Sequence, residues 1–272
     1  MLDFPVCKIN LGLNITQKRP DGFHNIETVF YPVKWTDALE IIEGGGRPFE
    51  LFISGLRVEG KTEENIIYKA WKLLSAHAQL PNVKVYLHKV LPMGAGLGGG
   101  SSNAAFFLKM ANKKLKLNLS TEKLTEMARK LGSDCAFFIE NTPVFAKGKG
   151  DEFESIKVDL GGYRILVVYP GIHSNTREAY EGVVPATPGK SIRQIISQPI
   201  ETWKTDLGND FEKSIFKKYP EIEKLKQQLY DRGAVYASLS GSGSAVFGIF
   251  REMPENLDLN PGYIQFLQEP FQ

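Results

Sequence analysis

The chain has 272 residues, 42% hydrophobic and 24% charged, and its 33 Lys and Arg against 31 Asp and Glu leave a formal net charge of +2. This is the composition of an ordinary globular protein with room for one large or two modest cores, which excludes disordered and fibrous classes and any global basic field for nucleic acid. The richest basic stretch, Lys109 to Lys116, reads as the exposed end of a helix. Cys7 and Cys135 are too few for a disulfide framework. Neither they nor the scattered His24, His77, His88 and His173 show metal-ligand spacing, so no protein-bound metal is expected. The first residues carry no basic segment followed by an apolar core, and no apolar run reaches a membrane-spanning length. The expectation is a soluble cytoplasmic protein.

Residues 6–15 alternate, with Cys7, Ile9, Leu11, Leu13 and Ile15 on one face, and predict a half-buried strand. Lys8 and Asn10 then point the same way, off the apolar face. Further strands are predicted at 25–34, 38–43 and 49–54, separated by Pro, Gly and Asp. A helix follows over 64–80, with Ile66, Ile67, Ala70, Trp71, Leu74 and Ala78 on one stripe and Pro81 as its stop. Residues 83–90 alternate again. Helices are predicted over 101–115 and 120–131, ending at Gly132.

After Gly150 the texture changes. A buried strand at 163–169 precedes helical stretches near 176–183, 190–197 and 208–231, then paired strands near 234–239 and 244–250. The turn Gly148-Lys149-Gly150-Asp151 and the charged run after it suggest a boundary near residue 155, giving domains at 1–155 and 156–272. Strands grouped with helices, without regular alternation, predict an α+β fold. There is no internal repeat.

The strand at 83–90 runs into Pro92, Met93, Gly94, Ala95, Gly96, Leu97, Gly98, Gly99, Gly100, Ser101 and Ser102, a segment with almost no side chains. Glycine tolerates positive φ and needs no Cβ clearance, so successive N–H groups can cradle an anion, and a helix opened by the two serines adds its dipole. The segment says nucleotide. Residues 94–99 fit the dinucleotide fingerprint G-x-G-x-x-G, but that fingerprint needs an acidic residue about 20 positions on. From Gly100 to Thr121 there is no Asp or Glu. A Walker loop fails for want of Gly-Lys-Ser/Thr, and no kinase His-Arg-Asp or Asp-Phe-Gly is present.

The pattern that remains, Pro92-x-x-x-Gly96-Leu97-Gly98-x-x-Ser101-Ser102, resembles the phosphate loop of the GHMP kinases, small-molecule kinases that use ATP. Two more motifs of that family fall in place: Lys8-Ile9-Asn10-Leu11 in the first strand, and Ser240-Gly241-Ser242-Gly243-Ser244 between the last strands, which by itself reads equally well as a hairpin connection. With Arg19-Pro20-Asp21-Gly22-Phe23-His24 and Leu131-Gly132-Ser133-Asp134, the chain is similar to the branch that phosphorylates the 2-hydroxyl of a cytidyl diphosphate of methylerythritol, in the non-mevalonate route to isoprenoid precursors. The resemblance covers nearly the whole chain, most strongly from Cys7 to Cys135. Phe23 departs from the family's common Tyr, keeping a ring and losing a hydroxyl.

What the resemblance implies is a two-domain fold, an N-terminal ribosomal-protein-S5-domain-2-like ATP-binding domain and a C-terminal α+β, ferredoxin-like domain. ATP is the implied co-substrate, with Mg²⁺ bridging its phosphates. Asp134 would receive or orient the reacting hydroxyl and Lys8 would sit beside it. A carboxylate beside an ammonium is a weak base toward an alcohol, so an orienting role with late proton loss suits a dissociative transition state. Asn65 is implied at ATP, and Asn10, Phe23, His24, Lys89 and Tyr180 at the substrate, Phe23 stacking on the cytosine, His24 meeting its polar edge and Tyr180 closing a sandwich. On local sequence alone Asp134 reads as a helix cap and Tyr180 as a half-buried helix residue. The implied partner is a small molecule, with no nucleic acid, no membrane, and a monomer or weak homodimer. Other GHMP kinase substrates, homoserine or mevalonate, and a non-enzymatic RNA-binding module stay open at this point.

Overall fold

A computed structural model describes residues 1–270 as an α+β protein, with strands grouped into three four-stranded sheets. The chain divides into two compact units, one of residues 1–7, 34–93 and 98–142, the other of residues 8–33, 94–97 and the chain from 143 onward. Among the described residues no helix is long and apolar enough to cross a membrane.

The first unit is built on a sheet ordered Leu2–Asp3, Ala38–Glu43, Val83–Lys89, Phe49–Gly55, antiparallel except for its last, parallel pair. Val83, Val85 and Leu87 are buried while Tyr86 and His88 are exposed, the alternation expected of a sheet covered on one face. Phe49 packs against Trp71 of helix Ile66–Ser75 and Phe107 of helix Gly99–Lys114. The first of these helices starts where Asn65 Oδ1 accepts from Ile67 N at 2.9 Å. It ends at Ser75, short of the 80 expected; Leu74 is its last buried side chain, and Ala76 and His77 are exposed. Helix Thr121–Leu131 starts at Ser120, whose Oγ accepts from Lys123 N, and ends before Gly132 as expected.

In the second unit the long strands Val6–Lys18 and His24–Thr36, apart from their ends at 6–7 and 34–36, lead a sheet completed by Val144–Lys147 and Glu152–Ser155. The first strand is buried on both faces, with Lys8 at 4% and Asn10 at 1% exposure, and not half-buried as its alternation suggested. Its polar side chains bury because they bond one another, as described below. Gly148 to Asp151 is the turn of the hairpin between the last two strands of this sheet.

The other sheet runs Tyr236–Leu239, Val246–Phe250, Arg164–Tyr169, Ile264–Gln268, all antiparallel. Leu166, Val168, Val246, Leu239 and Phe250 join Phe211, Leu225 and Leu229 in a core under the helices Glu212–Lys218 and Pro220–Asp231. These replace the single helix expected over 208–231. Pro220 has no N–H to continue the first helix and a φ suited to opening the second.

Candidate active site

Gly94, Gly96 and Gly98 adopt φ of +69°, +81° and +69°, the left-handed region that a side chain resists. Gly98 is the cap position of helix Gly99–Lys114, so the helix begins two residues before the serines expected to open it, and no side chain caps it. Ser101 and Ser102 lie inside its first turn, and Ser102 N bonds to Gly98 O at 2.9 Å. A glycine can start the helix here because it accepts the left-handed bend directly.

The carbonyls of three consecutive loop residues are each tied to protein. Ala95 O accepts from Ala245 N at 3.1 Å and Leu97 O from Lys8 N at 3.0 Å. Gly96 O accepts from Lys8 Nζ at 2.9 Å and from Ser240 Oγ at 3.0 Å. Every peptide bond among the described residues is trans, so in each peptide group the N–H points opposite to its C=O. Pinning these carbonyls therefore turns the N–H groups of Gly96, Leu97 and Gly98 away from the pinning residues, the condition for an anion cradle.

Lys8 reaches the loop from a fixed place. Its Nζ donates to Asn10 Oδ1 at 2.7 Å and lies 5.1 Å from the centre of the Phe30 ring. Asn10 Nδ2 donates to Thr28 Oγ1, which donates to Gly12 O at 2.6 Å. The alternation that set Lys8 and Asn10 on one side of the strand is thus a hydrogen-bonded chain, and burial rules out a merely solvent-facing lysine.

The late glycine turn is packed onto the same loop residues. A Cβ on Gly243 would overlap the Ala95 carbonyl carbon and Gly96 N, and one on Gly96 would overlap Ser240 O. Asn209 anchors the turn, donating Nδ2 to Leu239 O and Gly241 O, and Ser174 Oγ donates to Ser242 O at 2.9 Å. The turn is the hairpin connection between Tyr236–Leu239 and Val246–Phe250, and it is also packed against the loop backbone.

In the first unit, half-buried Asp134 lies in the turn between Leu131 and Phe137, where Ser133 Oγ donates toward its Oδ1 at 3.5 Å. The short helix that follows has Ala136 at its cap position, so Asp134 is not the cap that local sequence suggested. Neighbouring Cys135 is fully buried, and burial pushes its thiol up to about 12 despite a hydrogen bond with Ser101. Asn65 uses its side-chain oxygen to cap helix Ile66–Ser75.

Lys89 is 1% exposed in its side chain, with Nζ 2.6 Å from Asp37 Oδ2. Burial, opposed by Asp37, holds its ammonium below the ordinary lysine range. Asp37 also receives Asn103 Nδ2 and two backbone N–H groups. Sequence reasoning treated Asp37 only as a separator between strands; its partners lie 52 to 66 residues away, and no local pattern marks them.

In the second unit, the Asp21 turn bonds Phe23 N at 3.1 Å and presents the Phe23 ring 58% exposed, with Lys149 Nζ 5.0 Å from its centre. His24 and Tyr180 stack face to face, centroids 4.7 Å apart and planes 16° from parallel, while Phe211 meets Tyr180 edge-on. One face of the Tyr180 ring is thus taken by His24.

Among the described residues no group of three or more His, Cys, Asp or Glu could hold a metal ion. Among the described residues one buried hydroxyl, Ser102 Oγ, has no hydrogen-bond partner, which fits an oxygen ligand offered to a phosphate-bound Mg²⁺.

Comparison with known proteins matches residues 65–142 to the GHMP kinases N terminal domain and residues 191–258 to the GHMP kinases C terminal domain. The chain is similar to the 4-diphosphocytidyl-2-C-methyl-D-erythritol kinase of Bacteroides fragilis, 52% identical over 92% of both chains. It is similar to that of Cytophaga hutchinsonii at 50% identity over 97% of this chain and 98% of the relative. A crystal structure of 4-(cytidine 5'-diphospho)-2C-methyl-D-erythritol kinase superimposes with a TM-score of 0.77 at 29% identity, covering 92% of this chain and 90% of that one. A homoserine kinase from Cytophaga hutchinsonii, 14% identical with a TM-score of 0.67, shares the fold over 97% of this chain and 94% of its own.

Proposed function

The chain belongs to the GHMP kinase family, and from that premise we propose that it transfers the γ-phosphoryl group of ATP to the 2-hydroxyl of 4-diphosphocytidyl-2-C-methyl-D-erythritol, a step in the non-mevalonate supply of isoprenoid precursors. The names of its relatives support the acceptor. The observation that carries the reaction type is the loop whose carbonyls at 95, 96 and 97 are tied down by Lys8, Ser240 and Ala245. Such a loop presents N–H groups to phosphate without reorganising when the phosphate arrives, and preorganised donors are the usual source of catalysis in phosphoryl transfer.

In this reading Pro92 to Ser102 hold the phosphates of ATP, and Asn65 is a further ATP contact. The 2-hydroxyl oxygen forms a bond to the γ-phosphorus as the bond from that phosphorus to the bridging oxygen breaks. ADP departs with the electron pair of the broken bond, and the hydroxyl proton passes to Asp134. Lys8 offsets charge on the transferring group, held in place by Asn10. Ser102 Oγ would hold Mg²⁺, which would supply charge neutralisation to the phosphate oxygens. Phe23 stacks on the cytosine and His24 meets its polar edge, with Tyr180 behind His24. Lys89, paired with Asp37, supports the loop from within rather than touching the acceptor. The proposed domains, 1–155 as the N-terminal ATP-binding domain and 156–272 as the C-terminal kinase domain, serve a small-molecule task that needs neither nucleic acid nor a membrane.

The test is a coupled ADP-release assay with ATP, Mg²⁺ and a panel of alcohols. Turnover with the cytidyl diphosphate and none with homoserine or mevalonate is expected. Turnover with one of the latter and none with the former would move the chain to another branch of the family.

A further inference from the structure

Asp37 stands between strands His24–Thr36 and Ala38–Glu43, 0% exposed, with its own N–H bonded to Pro5 O. Its carboxylate accepts four hydrogen bonds. Oδ1 takes Val90 N at 2.7 Å and Leu91 N at 2.8 Å; Oδ2 takes Lys89 Nζ at 2.6 Å and Asn103 Nδ2 at 2.8 Å. A carboxylate without water is tolerable only when paired and fully bonded, and this one is.

The donors are not a random sample of the unit. Val90 and Leu91 are the two residues that enter the glycine loop before Pro92, and Asn103 lies in the second turn of the helix that leaves it. Lys89 Nζ lies close beside the exit, where a Cβ on Gly99 would come to 3.0 Å of it. One carboxylate therefore grips the entrance of the loop by its backbone and the exit by a side chain. The stretch between has three glycines at positive φ, which lose the most freedom on ordering.

We propose that Asp37 is the positioning residue of the phosphate loop, fixing the separation of its two ends so that the N–H cradle exists before ATP binds. This rests on reading the loop as the ATP site. Asp37 touches neither ATP nor acceptor; it acts through Val90, Leu91 and Asn103. Lys89 Nζ pairs with the carboxylate at 2.6 Å, a charge-assisted contact of the stronger kind.

The experiment separates the acceptor oxygen from the charge. Asp37→Asn together with Lys89→Met removes both charges and keeps an oxygen for Val90 and Leu91; Asp37→Leu together with Lys89→Met removes both charges and the oxygen. Binding of a non-hydrolysable ATP analogue is measured calorimetrically without any alcohol acceptor, beside thermal melting. The first double variant should bind within about threefold of the unaltered protein and the second at least about tenfold more weakly, with the KM for the alcohol unchanged in both. Asn103→Ala, which cuts only the tether to the helix and leaves the ion pair whole, should weaken binding about threefold. Wild-type affinity in the Leu variant, or losses that track melting temperature equally in both double variants, would overturn the proposal. Failure of the unaltered protein to bind the analogue would instead overturn the reading of the loop.

Discussion

Lys8 Nζ lies 2.9 Å from the carbonyl oxygen of Gly96, so the ammonium proposed to stabilise the transferring phosphoryl group also fixes the backbone that cradles it. The two tasks predict a split outcome for Lys8→Met, which keeps the stem and loses the charge. Loss of a single transition-state donor costs about 10²–10³ in kcat, and loosening of Gly96 should raise the KM for ATP as well. Steady-state kinetics at varied ATP check both. Arginine should not rescue, because a planar fork does not fit a site that is 4% exposed and already filled by Asn10.

Gly243→Ala tests the loop from its other side. Its Cβ would overlap backbone atoms of Ala95 and Gly96, and backbone cannot yield as a flexible side chain does. Overpacking of this kind costs about 1–3 kcal/mol, so the melting temperature should fall. The more telling effect is at least about a tenfold rise in the KM for ATP with little change in that for the acceptor, since the displaced atoms are those of the cradle. A variant with unaltered nucleotide kinetics would show that the late turn is only a hairpin connection.

These two features differ in how far they were legible in the sequence. Gly94, Gly96 and Gly98 announce positive φ by their identity, and residues 83–89 announce a one-sided strand by alternation, because both signals are local. Lys8 and Asn10 were placed on one side by the same alternation, but that side is filled by Thr28, Phe30 and Gly96, which no spacing within the strand reveals. Asp37 was unreadable for that reason, as was the burial of Lys89, whose side chain looks like any strand-end lysine. The strand Ile264–Gln268 gives little signal because as an edge it exposes most of its residues, whereas the break at Tyr219–Pro220 is marked locally by Pro220 and masked only by the apolar period that continues across it. What a residue does alone was visible; what distant residues do together was not.

The two cysteines are predicted inert. Cys7 and Cys135 are both 0% exposed, and burial pushes the Cys135 thiol up to about 12. Thiolate is the reactive form, so at pH 8 the folded protein should show no fast reaction with an aromatic disulfide reagent, and both thiols should appear on denaturation. A stoichiometric fast phase in the native protein would contradict this.

His24 gives a pH dependence whose sign follows from its surroundings. Burial first, then the charge of Lys18, holds its imidazole below the ordinary value. The fold thus prefers the neutral ring, and on acidification the unfolded chain takes up the proton first. The His24 contribution is therefore full above the unfolded value of about 6.5 and is lost as pH falls through it. The carboxylates with lowered values, such as Glu126 at about 2, lose their contribution only below about pH 4.5. Melting temperatures measured from pH 5 to 7 should fall toward the acid end in the unaltered protein and less in His24→Gln. Equal slopes would remove His24 as the cause.

Asp134 separates chemistry from binding. It lies in a turn, half-buried, and caps no helix, so replacing it by the isosteric Asn removes a proton acceptor and leaves the surrounding packing in place. A positioned proton acceptor contributes about 10²–10⁴ to rate. In Asp134→Asn, kcat should fall within that range while the affinity for an ATP analogue stays within about twofold of the unaltered protein. The pH profile carries the finer distinction. If Asp134 orients the hydroxyl and the proton leaves late, as a dissociative transition state permits, the residual activity of the Asn variant should keep the same shape against pH, because Asn still accepts one hydrogen bond from the alcohol. If Asp134 is a full base, the variant's rate should instead rise with hydroxide concentration. An unchanged kcat would take Asp134 out of the mechanism, and Lys8 would then be left as the charged side chain proposed to act on the transferring group.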